Sequence, residues 1–147
     1  MAKILVADDE IDLETLIKQK FRKQIREEKY EFIFAMNGND ALLKLEQHPD
    51  VSMVLSDINM PEMGGLECLS LLKKMELVKD IPVLMFTTSS SKQDVKAASD
   101  LGALCFVTKP DKFQHLKIII KTVLTHLEIQ QLDTLCEAIY KNRQSVK

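Results

Sequence analysis

The sequence predicts an α/β protein in which one parallel β-sheet carries helices on both faces. Five short apolar runs are typical of buried strands. They alternate with five segments in which apolar residues recur at three- and four-residue steps, as they do along one face of a helix. Strands that alternate with helices favour parallel pairing through right-handed crossovers, and these crossovers place helices on both faces of the sheet.

The first half of the chain contains two strand–helix units. Residues 3–7 form an apolar run bounded by charge, which suits a strand buried on both faces. Apolar residues from Leu13 to Ile25 then form one helical stripe. Residues 31–36 are the second strand, the pair Asn37–Gly38 predicts a turn, and the apolar residues at 41–45 predict a short second helix.

Three further units complete the fold. The remaining strands are predicted at 53–56, 83–86 and 104–108, and the helices after them at 66–75, 95–101 and 113–127. Ser91 and Asp94 have the spacing of a capping box for the fourth helix, and Gly102 ends that helix. At this size, five units favour the flavodoxin-like, doubly wound strand order 2-1-3-4-5, with its switch point between the first and third strands.

Residues 126–147 lie beyond this fold and predict a C-terminal helical extension of a domain at 1–125. Between Glu128 and Tyr140 apolar residues continue at helical steps, but in an unbroken helix they would point about 140° away from the preceding stripe, at about 100° per residue. We therefore expect either a break near Thr125–Glu128 or a projecting helix. The apolar stripe is then covered by a homodimer through these helices, or by folding back onto the fifth or fourth helix.

Polar side chains directly follow four of the five strands, and we expect them at the carboxyl edge of the sheet, where ligands bind in open parallel sheets. These residues are Asp8, Asp9, Asp57, Thr87 and Lys109. Neighbouring carboxylates repel one another, by about 4 kcal/mol for a pair about 4 Å apart at an effective dielectric of about 20. A divalent cation would compensate that repulsion, and all-oxygen ligands with room for water suit Mg²⁺ or Mn²⁺.

Asp57 is the predicted nucleophile of a phosphoryl transfer. A cation beside a carboxylate gives a phosphoryl group two oxygens to neutralise its charge. Lys109 can contact a further phosphoryl oxygen, and the Thr87 hydroxyl can donate to a third. Asp57 would then accept the phosphoryl group as an acyl phosphate.

Composition restricts the classes of partner and compartment. The net charge of -2 gives no case for a nucleic-acid or membrane partner, and no apolar run approaches the about 18 residues of a membrane span. The extension is too short for a DNA-binding domain and lacks a basic recognition helix. The start lacks a signal peptide, and Cys68, Cys105 and Cys136 form no CxxC pair. We interpret these cysteines as small buried hydrophobic residues in a reducing cytosol, so we expect a cytoplasmic protein.

Four motifs resemble those of the receiver domains of two-component response regulators, of the chemotaxis-regulator type, over about residues 3–125. They are VADDE at 6–10, LSDINMPEMGG at 55–65, PVLMFTT at 82–88 and GALCFVTKP at 102–110. The resemblance implies that Asp57 is phosphorylated by the phosphohistidine of a sensor histidine kinase or phosphotransfer protein. It also implies a cytoplasmic signalling switch that controls a downstream protein target.

The resemblance implies a metal site and a switch as well. Mg²⁺ would be held by Asp9, Asp57 and the backbone carbonyl of Asn59, with Asp8 acting through water. Thr87 and Phe106 would form a switch pair, in which the hydroxyl moves toward the phosphoryl group and the ring turns inward.

The switch would change the surface formed by the fourth helix, the fifth strand and the fifth helix. Thr88 and Ser89 would modulate access of phosphodonor or water to the site, and Thr88 is a little larger than the small residue usual there. The family also implies a cis peptide bond before Pro110.

Two other functions fit a similar set of residues. An enzyme that forms an aspartyl phosphate, as a phosphatase or phosphotransferase of the haloacid-dehalogenase type, carries a second acid two residues after its nucleophile. Asn59 holds that position and cannot act as the acid, so we expect no enzyme beyond self-phosphorylation and slow autophosphatase activity. The second alternative is a structural module of the same fold that is never phosphorylated. The intact acid cluster, together with Thr87 and Lys109, argues against it.

Overall fold

The protein is described by a computed structural model over residues 1–88, 91–110 and 112–145. It divides into two compact units, Met1–Thr108 and Lys109–Lys147. The first unit contains one parallel sheet with the strand order β2-β1-β3-β4-β5. Its strands are β1 (Ala2–Ala7), β2 (Tyr30–Ala35), β3 (Met53–Ser56), β4 (Val83–Thr87) and β5 (Cys105–Thr108). The predicted strand order is confirmed.

The described residues of the first unit form five helices: α1 (Ile11–Lys20), α2 (Arg22–Arg26), α3 (Gly38–Gln47), α4 (Gly65–Leu72) and α5 (Lys92–Asp100). The helix α5 begins as its sequence indicates, because the Ser91 side chain accepts a hydrogen bond from the backbone N–H of Asp94. Asn37 caps α3 in the same way, through the N–H of Asp40. Both caps satisfy donors that a helix start leaves without a partner.

Different helices cover the two faces of the sheet. Leu5 and Val54 pack into a core cluster together with buried residues of α3, α4 and α5. Alternate strand positions point to the opposite face, where Val6 of β1 and Leu13 of α1 line the same small cavity. The sheet is therefore buried on both sides, which explains the continuous apolar runs in its strands.

The predicted first helix is wrong in one respect, because the stripe from Leu13 to Ile25 is divided between α1 and α2. The break lies at Phe21, whose φ and ψ of -108° and 21° leave the helical region. Phe21 is buried, and its ring centroid lies 5.9 Å from that of Phe32 in β2. The apolar spacing continues through the break, so periodicity alone gave no sign of it.

The second unit contains α6 (Phe113–Glu128), a 3₁₀ turn (Leu132–Thr134) and α7 (Leu135–Ser145). The expected break is present, slightly later than predicted, at a residue in the left-handed region, Gln130 with φ 56°. The alternative of one projecting helix is wrong. Within this unit α7 contacts α6, and Leu135 and Ile139 are buried, so the segment folds back onto the predicted fifth helix. The domain boundary at residue 125 stays a prediction.

Two expectations about single residues need correction. Cys68 is a buried free thiol, as expected, and burial raises its pKa to about 11. Cys105 and Cys136 are instead disulfide-bonded, so the interpretation of three thiols is wrong for these two. The bond before Pro110 is trans, because the described residues include no cis peptide.

Among the described residues, no helix has the length and apolar character needed to cross a bilayer.

Candidate functional site

Two neighbouring strands deliver the central acids of the site. Asp8 follows β1 and Asp57 follows β3, and the last residues of these strands, Ala7 and Ser56, are paired in the sheet. The backbone N–H of Asp57 donates to the carbonyl of Ala7 at 2.9 Å, and that of Asp8 donates to the carbonyl of Ala35 at 2.9 Å. Both acids therefore continue the ladder by one residue and lie side by side at the carboxyl edge.

The three predicted carboxylates form one acid cluster, which consists of Asp8, Asp9 and Asp57. Each contributes one carboxylate oxygen to a group whose members all lie within 4.8 Å of one another. Asp8 and Asp57 are buried, whereas Asp9 is exposed. The prediction that the fold gathers these acids is confirmed. Repulsion among them is least screened by water for the buried pair.

The carboxylate of Asp57 is held by the loop that follows it. Its Oδ1 accepts hydrogen bonds from the backbone N–H of Ile58 at 2.7 Å and of Asn59 at 3.3 Å. Asp8 is held in a similar way, because its Oδ1 accepts from the N–H of Glu10 at 2.9 Å. Backbone donors of their own loops thus hold one oxygen of each carboxylate.

A glycine that sequence reasoning did not single out positions this loop. The N–H of Gly65 donates to the carbonyl of Ile58 at 2.8 Å, and a Cβ added to Gly65 would overlap the backbone carbonyl oxygen of Asp57. Helix α4 can therefore start against the back of the Asp57 peptide only because residue 65 has no side chain. The glycine pair after the acidic loop was the available signal.

A contact between two loops supports the same region and was also missed. The N–H of Gly38 donates to the carbonyl of Met63 at 2.8 Å, and Asn37 Nδ2 donates to Glu62 Oε2 at 3.2 Å. A Cβ at Gly38 would lie 2.6 Å from Met63 Cγ. This pair of bonds, which we call the loop brace, ties the loop after Asp57 to the loop after β2. Because its partners are 25 residues apart in sequence, no local pattern indicates it.

The proposed switch residues occupy neighbouring strands. Thr87 is the last residue of β4 and is fully buried, and Phe106 in β5 is half-buried and packs against the core cluster. Phe106 pairs with Met85, two residues before Thr87. Residues two apart in a strand share a face, so Thr87 and Phe106 lie on the same face of the sheet. Their role as a switch pair stays a prediction.

The other predicted site residues are placed as follows. Asn59 and Thr88 are exposed, and Ser89 lies outside the described residues. Lys109 is half-buried and directly follows Thr108, the last residue of β5. Lys109 begins the second unit, so its contact with a phosphoryl group stays a prediction.

A family model described as the response regulator receiver domain matches residues 4–121. The chain belongs to the response regulator receiver domain family. Receiver domains act in two-component and chemotaxis signalling as phosphorylation-dependent switches, and they bind Mg²⁺ or Mn²⁺ at an acidic pocket. The resemblance of the four motifs is thereby confirmed.

Known receiver domains are similar over most of the chain. Chemotaxis protein CheY1 of Helicobacter pylori is 33% identical over 122 residues, which are 83% of this chain and 96% of the relative. The structure of the phosphorylated cyanobacterial phytochrome response regulator RcpA superposes with a TM-score of 0.77 at 25% identity, covering 86% of this chain and 93% of the other. A chain of the CheX–CheY–BeF₃–Mg²⁺ complex from Borrelia burgdorferi superposes with a TM-score of 0.66 at 30% identity. The match covers 83% of this chain and 88% of that chain.

The donor set of this receiver domain fits a small divalent cation. Mg²⁺ binds oxygen ligands at about 2.0–2.1 Å, so two ligands of one ion lie at most about 4.2 Å apart. The carboxylate oxygens of the acid cluster lie within 4.8 Å of one another, which is close to that limit. The cluster contains only oxygen donors, which favours Mg²⁺ or Mn²⁺ over zinc.

Proposed function

We propose that this receiver domain accepts a phosphoryl group on Asp57 from the phosphohistidine of a sensor histidine kinase or phosphotransfer protein. The observation that carries the proposal is the placement of Asp57 within 4.8 Å of two further carboxylates, with one of its oxygens fixed by two backbone N–H groups. In the transfer a carboxylate oxygen of Asp57 forms the new O–P bond while the N–P bond to histidine breaks. The imidazole leaves with the bonding electrons and takes up a proton.

The cation would be held by Asp9, Asp57 and the backbone carbonyl of Asn59, with Asp8 acting through water. When bound, the ion supplies positive charge to the phosphoryl oxygens. The protein's own part is orientation: the N–H groups of Ile58 and Asn59 aim the carboxylate. Lys109 would contact a second phosphoryl oxygen.

Phosphorylation would change the surface formed by α5, β5 and α6 through Thr87 and Phe106. The buried Thr87 hydroxyl would donate to a phosphoryl oxygen, and the half-buried ring of Phe106 would turn into the space that it leaves. This surface would control a downstream protein target. The complex of CheX with CheY from B. burgdorferi supports a protein partner of this kind. We propose neither a direct nucleic-acid partner nor a membrane partner.

The phosphorylated form would decay slowly, as in a switch, with only an autophosphatase activity. Asn59 stands where phosphatases of similar chemistry carry an acid, and its amide cannot serve as that acid. A homodimer through the C-terminal helices would have to use exposed residues such as Ile129 and Tyr140, because Leu135 and Ile139 are already buried. Light scattering with and without phosphorylation tests whether the chain forms such a homodimer.

We place the protein in the cytoplasm, in line with its chemotaxis relatives. Disulfides are rare in the cytosol, so a cytoplasmic location requires that the disulfide-bonded Cys105 and Cys136 are reduced in the cell. Counting alkylated cysteines in freshly lysed cells tests this: three reactive thiols after denaturation support the cytoplasm, and one contradicts it.

The decisive experiment for phosphorylation uses intact-mass spectrometry. Incubation with acetyl phosphate and Mg²⁺ is expected to add one phosphoryl group, and Asp57→Asn is expected to add none. Chelation with EDTA should abolish labelling. Lys109→Ala should leave metal binding largely intact but weaken the coupling of phosphorylation to the switch residues Thr87 and Phe106. Equal labelling of Asp57→Asn, or full labelling in EDTA, would contradict the proposal.

A further inference from the structure

A cavity of about 620 Å³ opens beside β2, an edge strand of the sheet, within the first unit. Residues of α1, α2 and β2 line most of it. Its volume falls in the range of about 300–1,000 Å³ that is typical of small-molecule sites. The residues lining it include no member of the acid cluster, so the cavity is separate from the proposed phosphorylation site.

Aromatic side chains of β2 form an apolar surface in this cavity. Phe32 and Phe34 are two residues apart and share a face, and their ring centroids lie 6.3 Å apart with an interplanar angle of 24°. Both are only half-buried. Phe21 supports Phe32 from within the protein, at a centroid distance of 5.9 Å. Nearly parallel, accessible rings of this kind suit a ligand that carries a planar ring.

Cationic side chains line the helical wall of the cavity. Lys18, Arg22 and Arg26 follow one another at four-residue steps along α1 and α2 and are all exposed. The ammonium of Lys18 is already engaged, at 3.0 Å from the carboxylate of Glu14 and 5.4 Å from the centroid of Phe34. Within the described part of the chain, Arg22 and Arg26 have neither an ion pair nor a side-chain hydrogen bond.

The acids that face the cavity do not neutralise both guanidinium groups. Glu31 lies 3.5 Å from the ammonium of Lys3, which also pairs with Asp50 at 2.7 Å, so this lysine offsets the charge of Glu31 only in part. Glu28 is the other acid of the lining, and it is exposed. Three cationic side chains (Lys18, Arg22 and Arg26) and two acidic ones (Glu28 and Glu31) line the cavity, which is an excess of one positive charge. The cavity therefore favours an anion over a cation or a neutral ligand.

We propose that this cavity binds a small anionic ligand that combines a planar aromatic ring with a carboxylate or phosphate group. The ring lies against Phe32 and Phe34, and the anionic group pairs with the guanidinium groups of Arg22 and Arg26. Arginine suits this role because its planar fork matches both carboxylate and phosphate. The apolar rings supply contact area, and the arginines select the charge.

Calorimetric titration with 2-naphthoate, on the full chain at fixed low salt, tests the proposal. Its neutral analogue 2-naphthalenemethanol measures the contribution of the ring alone, and 2-naphthyl phosphate distinguishes the two anion types. The naphthoate is expected to bind at least about tenfold more tightly than the alcohol, since only the carboxylate can form charge-assisted hydrogen bonds with the two guanidinium groups. Either order of the two anions supports the proposal and identifies the preferred group.

Matched variants locate the binding. Arg22→Gln and Arg26→Gln are each expected to weaken naphthoate binding about threefold to tenfold, because the groups are partly screened by water. Lys23→Gln is the control, since Lys23 is an exposed cation of the same helix that does not line the cavity. Exposed substitutions of this kind leave folding nearly unchanged.

Three results would overturn the proposal. They are no saturable binding of either anion, equal affinity for the alcohol, and loss of affinity in Lys23→Gln equal to that in the arginine variants. Because none of these measurements involves Asp57 or Mg²⁺, the outcome is independent of the proposed phosphorylation.

Discussion

Replacing Gly65 by alanine tests whether the loop geometry, rather than the acids alone, sets the reactivity of Asp57. The added Cβ would overlap the carbonyl oxygen of Asp57 and lie 2.8 Å from its carbonyl carbon. Both atoms belong to backbone, so no side-chain rotation can relieve the overlap. The start of α4 and the Asp57 peptide must move apart.

The magnitude follows from the contacts that this movement breaks. Overpacking costs about 1–3 kcal/mol, and loss of the bond from Gly65 N–H to the Ile58 carbonyl costs a further about 0.5–1.5 kcal/mol. Alanine favours a helix over glycine by up to about 1 kcal/mol, which offsets part of these costs. We therefore expect Gly65→Ala to lower the free energy of unfolding by about 2–3 kcal/mol. Because misplacement by about 1 Å can cost about a hundredfold in rate, phosphorylation should slow by at least about tenfold.

Two assays separate these effects. Urea unfolding gives the stability, and the rate of mass increase with acetyl phosphate and Mg²⁺, measured well below the unfolding midpoint, gives the reactivity. Glu67→Ala, at an exposed residue in the first turn of the same helix, is the control and should change stability by less than about 0.5 kcal/mol. Wild-type stability and wild-type phosphorylation of Gly65→Ala would refute the reasoning.

Three further predictions concern the acids, the second unit and pH. Asp8→Asn keeps an oxygen for the Glu10 N–H but removes a buried charge, so in EDTA it should raise the free energy of unfolding by about 1–3 kcal/mol. Mg²⁺ should stabilise this variant less than it stabilises wild type. Thermal melts in which the two proteins respond equally to EDTA and to Mg²⁺ would contradict this. Leu135→Ala should cost about 2–5 kcal/mol and speed amide exchange in α6 and α7, whereas the exposed Tyr140→Ala should not. The pKa of Cys68, raised to about 11 by burial, means that the folded state holds its proton longer than the unfolded state. Its stabilising contribution is complete below pH about 9 and is lost as the pH rises toward 11. Urea unfolding midpoints of wild type that fall more steeply over this pH range than those of Cys68→Ala would verify the prediction.

The sheet and the acids could be predicted because both follow from local sequence. A strand buried on both faces must be apolar throughout, as in 3–7, and the residue after it must then lie at the carboxyl edge. Asp8 and Asp57 meet for that reason alone. The break before α7 was anticipated from the change of phase between two apolar stripes, although the residue that makes it, Gln130, has no special propensity for the left-handed region.

Features that rest on tertiary contact could not be predicted. Phe21 interrupts the first helix although its spacing fits the stripe, because its ring packs against Phe32. The loop brace joins Gly38 to Met63 across two loops that share no local pattern. The cavity beside β2 likewise depends on how α2 is oriented after the break at Phe21.

The loop brace also sets where the chain can accept extra residues. Bonds from Asn37 and Gly38 to Glu62 and Met63 fix the lengths of both loops, so an insertion in either would displace the Asp57 carboxylate. In the turn after α4, Leu77 has an exposed fraction of 82%. The hydrogen bonds on either side of it, such as that from the Lys79 N–H to the Met75 carbonyl, join residues of this turn and do not reach the loop after Asp57. Exposed turn tips of this kind tolerate insertions well. We expect a fluorescent reporter or affinity tag inserted at Leu77 to leave the acid cluster in place. The same insertion near Glu62 should displace the Asp57 carboxylate and prevent its phosphorylation.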